Sequence, residues 1–153
     1  MTPRLTPRFI ILNTCWTAAL ITATATGFTR FVFEGDGSYV SYVIAAILVA
    51  SLVAATRTTR HLTHAAWLCE TLGFVGTLVG ITIGLYGVDV GSLQSSDGVI
   101  AAGNSLFSGM ATAFCSTIVG AIAMLWLWSV RMVVGEPQRV TVSNVVSIKR
   151  EAA

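Results

Sequence analysis

The stretch Gly73-Phe74-Val75-Gly76-Thr77-Leu78-Val79-Gly80-Ile81-Thr82-Ile83-Gly84-Leu85-Tyr86-Gly87 decides the fold. It carries no charge and no proline, and Gly73, Thr77, Gly80, Gly84 and Gly87 recur at steps of four, three, four and three. That rhythm keeps the small residues on one side of an α-helix. Gly76, Gly80 and Gly84 also make two overlapping GxxxG pairs. In lipid, helices gain nothing hydrophobic by associating, so smooth faces that let backbones approach supply the packing energy. The stretch predicts a membrane helix in close contact with another.

Around it the rest of the chain is of the same kind. Of 153 residues 54% are apolar and only 10% charged, with a mean hydropathy of +0.78, whereas soluble domains carry roughly a quarter charged residues. A spanning helix takes about 20 apolar residues, and four runs fit: residues 9–29, 39–56, 65–86 and 99–130. The last is long enough for about 48 Å of helix, so it projects from the bilayer or begins in the outer interface. Little remains for a soluble domain, which excludes a large extramembrane enzyme. A net charge of +2 gives no basic patch for nucleic acid.

Between the runs lie an acidic loop (Glu34 to Ser38), a basic turn (57–64) and a polar connection (87–98), with Asp97 placed to cap the last helix. With the N-terminus cytoplasmic, Arg4, Arg8, Arg57, Arg60, Arg131, Arg139, Lys149 and Arg150 are all inside and Arg30 alone is outside. The positive-inside rule therefore selects both termini in and four crossings. The fold class is all-α, a polytopic membrane protein forming a single domain, with residues 131–153 as a short cytoplasmic tail. That tail, broken by Gly135 and Pro137, reads as unstructured or as one short strand. The first run reads as a retained helix rather than a signal peptide, because it is long and lacks a cleavage site. Cys15, Cys69 and Cys115 all fall within runs and read as small packing residues. His61 and His64 read as a polar turn, with no metal or cofactor expected.

The last run carries Ser105, Ser108, Thr112 and Ser116 along one helical face, with Ala113, Thr117 and Gly120 on a neighbouring strip. Such a strip either bonds back to helix carbonyls or lines a wet path for ions.

The segment Gly73 to Ile81 resembles the GLxGTVxGI signature in the penultimate helix of the MotA/TolQ/ExbB proton-channel family. The segment Gly109-Met-Ala-Thr-Ala113-Phe-Cys-Ser-Thr117-Ile-Val-Gly120-Ala-Ile-Ala123 is similar to that family's last-helix pattern, GIAxALxxTxxGLxxAI. Together the matches cover about 60 residues, Glu70 to Trp128. The resemblance implies a homopentamer in the bacterial inner membrane, surrounding single-span partners of the MotB/TolR/ExbD type. Those partners bring the carboxylate that is protonated and released as protons flow. By matching position Thr77 and Thr117 are pore-facing threonines, accompanied along the path by Ser108, Thr112 and Ser116. Gly73, Gly76, Gly80, Gly84, Gly109 and Gly120 provide close helix packing. A threonine both donates and accepts without fixed charge, so it guides a proton without trapping it.

Glu70 is the one carboxylate inside a run. It shares a helical face with Thr77 about 10 Å away along the axis. It either gates the cytoplasmic end of the path or pairs with Arg57 or Arg60 across the turn or a subunit boundary. The chain departs from the family in several places. Ser108 and Trp126 stand where prolines are typical, Thr112 replaces a common acidic residue, and the turn at 57–64 replaces a large cytoplasmic domain, which argues against a flagellar stator. The expected function is the pore-forming subunit of an ion-motive-force-driven complex, not an enzyme. The alternatives are a holin-like pore former or structural oligomer, and a small proton-coupled antiporter.

Overall fold

The computed structural model describes residues 7–134. Among them are five α-helices and one short 3-10 turn, with no strand. α1 is Pro7–Ala25, α2 Phe28–Gly35, α3 Val40–Ala55, α4 Leu62–Tyr86 and α5 Ser96–Val134, with the 3-10 turn at Val90–Gln94. α1, α4 and α5 are each long and apolar enough to cross a membrane, while α3 is apolar but shorter.

The first predicted run does not continue to Thr29. Gly27 adopts φ +77° and ends the helix, since the left-handed region is open to glycine at no steric cost. The chain restarts as α2, held by an ion pair from Arg30 to Glu34 one turn on (2.7 Å). Glu34 and Gly35, expected in a loop, are helical. At the start of α5 the cap comes from Ser95, whose Oγ accepts from Gly98 N at 3.0 Å. Asp97 lies inside the first turn instead, where a carboxylate still meets the positive end of the helix dipole. α5 also runs through Arg131 to Val134, which the sequence assigned to the tail. The reading of residues 135–153 lies outside the described residues.

α4 and α5 form an antiparallel hairpin that is the centre of the molecule. α3 packs on both, meeting them in a core of Ile44, Ala55, Leu62, Ala66, Cys69, Ala123, Trp126, Leu127 and Val130 toward the basic turn. α1 buries none of its residues and reaches only α5 and α2 closely. Its anchor is aromatic and polar. Trp16 stacks on Trp126 with ring centroids 5.5 Å apart, and Trp126 Nε1 donates to Asn13 Oδ1 at 2.9 Å. The other end of Asn13 donates to Phe9 O at 2.9 Å, so the amide is satisfied on both sides, as a polar group in an apolar setting must be.

Opposite the basic turn, the α2–α3 connection is latched to α5. Thr112 Oγ1 donates to Gly35 O (3.1 Å) and accepts from Gly37 N (3.3 Å). Asp36, buried beside it, accepts from Ser38 N (2.9 Å) and Ser38 Oγ (2.5 Å) on one oxygen and from Ser41 N (2.7 Å) on the other. Burial alone would push this carboxyl up, but the hydrogen bonds from Ser38 and Ser41 outweigh it and hold the group below its ordinary value.

Candidate functional site

The glycines of α4 are buried and face α5. A Cβ on Gly73 would lie 3.2 Å from Gly120 Cα and from Ser116 O; one on Gly80 would lie 2.5 Å from Ala113 N and 2.8 Å from Gly109 O. Further along, a Cβ on Gly84 would lie 3.1 Å from Gly109 Cα, and one on Gly109 would come within 2.5 Å of Gly80 O and Gly84 Cα. These contacts are backbone against backbone, so no side-chain rotation relieves an added methyl. Gly76 is filled by Ser116, whose Oγ would stand 2.5 Å from a Cβ there.

This approach brings Thr77 and Thr117 together. Their hydroxyls are in mutual hydrogen-bond contact, on the flank of the glycine interface where Thr77 is half-buried and Thr117 exposed. Thr117 Oγ1 donates to Ala113 O at 3.0 Å. Thr77 Oγ1 is also 3.1 Å from Gly73 O and 3.4 Å from Ala113 O. Each hydroxyl has one proton and two lone pairs. With Thr117 donating to Ala113, Thr77 supplies the proton of the shared bond, and lone pairs remain open on the exposed side. The pair is an uncharged acceptor site at an exposed seam between two helices.

Glu70 lies on the same face of α4, two turns toward the basic turn and exposed. It makes no ion pair among the described residues, with Arg57 and Arg60 or any other. Around it the surface is aromatic, with Trp67 and Phe74 both exposed.

The other strip residues are distributed differently. Ser116 is buried in the helix interface, donating to Ala113 O at 3.0 Å. Thr112 is buried in the latch to the α2–α3 connection. Ser108 is exposed, but nine residues from Thr117 place it half a turn round α5, away from the seam. Ser105 Oγ donates across the interface to Gly84 O at 3.0 Å. The structure thus gathers Thr77, Thr117 and Glu70 on one face and uses Ser105, Thr112 and Ser116 for internal bonds. Cys69 and Cys115 are buried and Cys15 is exposed; all three are free thiols. His61 Nε2 is 3.2 Å from Ser51 O, tying the basic turn to α3.

Sequence reasoning missed two features. The Asn13–Trp126 anchor had a signal, since Asn13 is the lone amide in the first run. The Asp36 cap had its signal in the Asp-Gly-Ser spacing before an apolar run. Comparison of the chain with protein-family models, with curated proteins and with solved structures found no match.

Proposed function

We propose that this chain is the pore-forming subunit of an ion-motive-force-driven membrane complex of the MotA/TolQ/ExbB kind. Four apolar segments cross the inner membrane with both termini cytoplasmic, and five copies surround single-span partner helices. The observation that carries the reading is the Thr77–Thr117 hydroxyl pair on the exposed flank of a glycine-packed hairpin. A hydroxyl pair with open acceptors on one side is poorly placed against lipid but suits water or a partner's protonated carboxyl, both of which can donate to it.

In this reading α4 and α5 face the centre of the ring. The partner carboxylate takes up a proton from the outer side, loses its charge, and moves past the threonines. It releases the proton on the cytoplasmic side, where Glu70 marks the exit. Neither threonine titrates, so the seam keeps the path wet without holding the ion. The chain has no carboxylate at mid-depth, and a charge there would cost several kcal/mol unpaired, so the carrier group comes from the partner.

The test is purification of the tagged full chain from its native membranes, with the mass of the intact complex and of each co-purifying chain determined. The complex and the chain alone are then placed in vesicles under a pH gradient and proton entry is followed with a pH-sensitive dye. Five copies with a co-purified single-span chain bearing a membrane aspartate or glutamate, and proton entry only when that chain is present, is the expected result. A complex of this chain alone that passes protons or large solutes unaided contradicts it and points to the holin-like alternative.

A further inference from the structure

The α2–α3 connection meets the α4–α5 hairpin well short of the hairpin's tip. The α2–α3 connection meets α5 at Thr112 and at Cys115, whose Sγ would lie 2.9 Å from a Cβ on Gly35. α3 then begins beside Gly76, where Val40 Cγ1 would lie 3.4 Å from a Cβ. From Gly76 α4 continues to Tyr86, about 15 Å further, and α5 reaches back from Thr112 to Ser96, about 24 Å. This hairpin tip exposes Leu78, Ile83, Leu85, Ile100, Phe107 and Met110, with the polar Thr82, Asn104 and Ser108 exposed among them.

α2 is built differently. Val32 is buried, while Phe28 and Phe31 are exposed, and the Arg30–Glu34 pair has side chains 80% and 64% exposed. Phe33 packs edge-on to Tyr42 at 4.9 Å and Tyr39 lies 6.0 Å from Tyr42; both tyrosines are at least half exposed. Aromatic rings beside a charged pair suit the layer between hydrocarbon and water. A zwitterionic headgroup offers a phosphate to Arg30 and an ammonium to Glu34. Centring the hydrocarbon instead on α4 between Trp67 and Tyr86, about 28 Å of helix, would sink Arg30 and Glu34 roughly 10 Å below the headgroups, a placement costing several kcal/mol.

We propose that α2 and the Phe33–Tyr39–Tyr42 cluster lie in the headgroup layer of the outer leaflet and fix the depth of the chain, so that lipid covers α1 and α3 but not the tip of the α4–α5 hairpin. The identity of what covers the tip, neighbouring copies in the ring, rests on the function proposed above; the depth itself does not, and it sets the Thr77–Thr117 pair, one residue beyond Gly76, at the outer end of the path.

The test uses the full chain with Cys15 replaced by Ala, because Cys69 and Cys115 are buried. Single cysteines at Phe31, Val49, Ile83 and Phe107 are labelled with bimane in phosphatidylethanolamine vesicles containing acyl-chain-brominated lipid. In a second arm they meet a charged, membrane-impermeant thiol reagent before labelling. Expected is strong quenching at Val49→Cys, and quenching several-fold weaker at Phe31→Cys, Ile83→Cys and Phe107→Cys. Quenching at Ile83→Cys and Phe107→Cys equal to that at Val49→Cys overturns the proposal. The reagent arm separates the two readings. Unquenched tip positions that also resist the reagent and cross-link between copies fit both, whereas unquenched tip positions that react freely keep the depth and remove the ring.

Discussion

Thr77 and Thr117, forty positions apart in the chain, hold their hydroxyls in direct hydrogen-bond contact across α4 and α5. The contact depends on the backbone approach beneath it, since Gly73 and Gly80 on one helix meet Gly120, Gly109 and Ala113 on the other with no side chain between. A wider helix spacing would part the hydroxyls and admit lipid to the seam.

Gly80→Ala and Gly109→Ala should therefore be among the most damaging small substitutions. Their new methyls would lie 2.5 Å from backbone atoms of the opposite helix, and overpacking of this sort costs about 1–3 kcal/mol. Gly103→Ala is the control, because a Cβ there meets nothing within 4 Å. Thermal unfolding in mild detergent, monitored by circular dichroism, should show a lowered midpoint for the first two and a native midpoint for the third.

Loss of the Asn13–Trp126 bond should free α1 without disturbing the hairpin. Asn13→Ala removes the acceptor of Trp126 Nε1, and hydrogen bonds between membrane helices are worth about 0.6–2 kcal/mol. Limited proteolysis near Gly27 should accelerate in this variant while the melting of α4 and α5 stays as in the native chain. Trp126→Phe, which keeps a ring to stack on Trp16, should give the same partial release.

Asp36 predicts an acid-sensitive joint. Its carboxyl is held below its ordinary value of 3.8 by Ser38 and Ser41. The folded value lies under the unfolded one, so the contribution is complete above about 3.8 and is lost as the pH falls through the lowered folded value. The change should appear as altered tyrosine fluorescence from Tyr39 and Tyr42 below that pH. Asp36→Asn keeps one acceptor oxygen where Asp36 uses two, so it should lose about 1 kcal/mol at neutral pH, the worth of one hydrogen bond, and should no longer show the acid step.

Thr112→Val deletes both latch bonds to the α2–α3 connection and leaves Gly37 N without an acceptor in a part-buried position. A cost of about 1–3 kcal/mol is expected. Hydrogen exchange at Gly37 should rise, with proton passage through the assembled complex unchanged, because Thr112 does not face the Thr77–Thr117 seam.

The glycine stretch at residues 73–87 was readable from sequence because close helix packing leaves its mark in residue size at a helical period. Thr77 and Thr117 are singled out by the resemblance of their two segments to a family pattern, not by that period. The division of the serine and threonine strip on α5 could not be read. Ser105, Thr112 and Ser116 share a sequence face, but α5 meets α4 along part of that face and the α2–α3 connection along another. Only tertiary contact decides which hydroxyl bonds inward. α2 was hidden because its eight residues are too few to show a helical period and are divided between the end of the first apolar run and the acidic loop.

Proton entry into vesicles bearing the native-membrane complex, compared for the unaltered chain and Thr77→Val with Thr117→Val together, tests the central claim most directly. Valine keeps the shape of threonine and removes only the hydroxyl, so assembly, checked by the mass of the complex, should be preserved. The account predicts intact assembly with proton entry reduced at least about tenfold, the effect of roughly 1.4 kcal/mol on the barrier. Intact assembly with undiminished proton entry would contradict it.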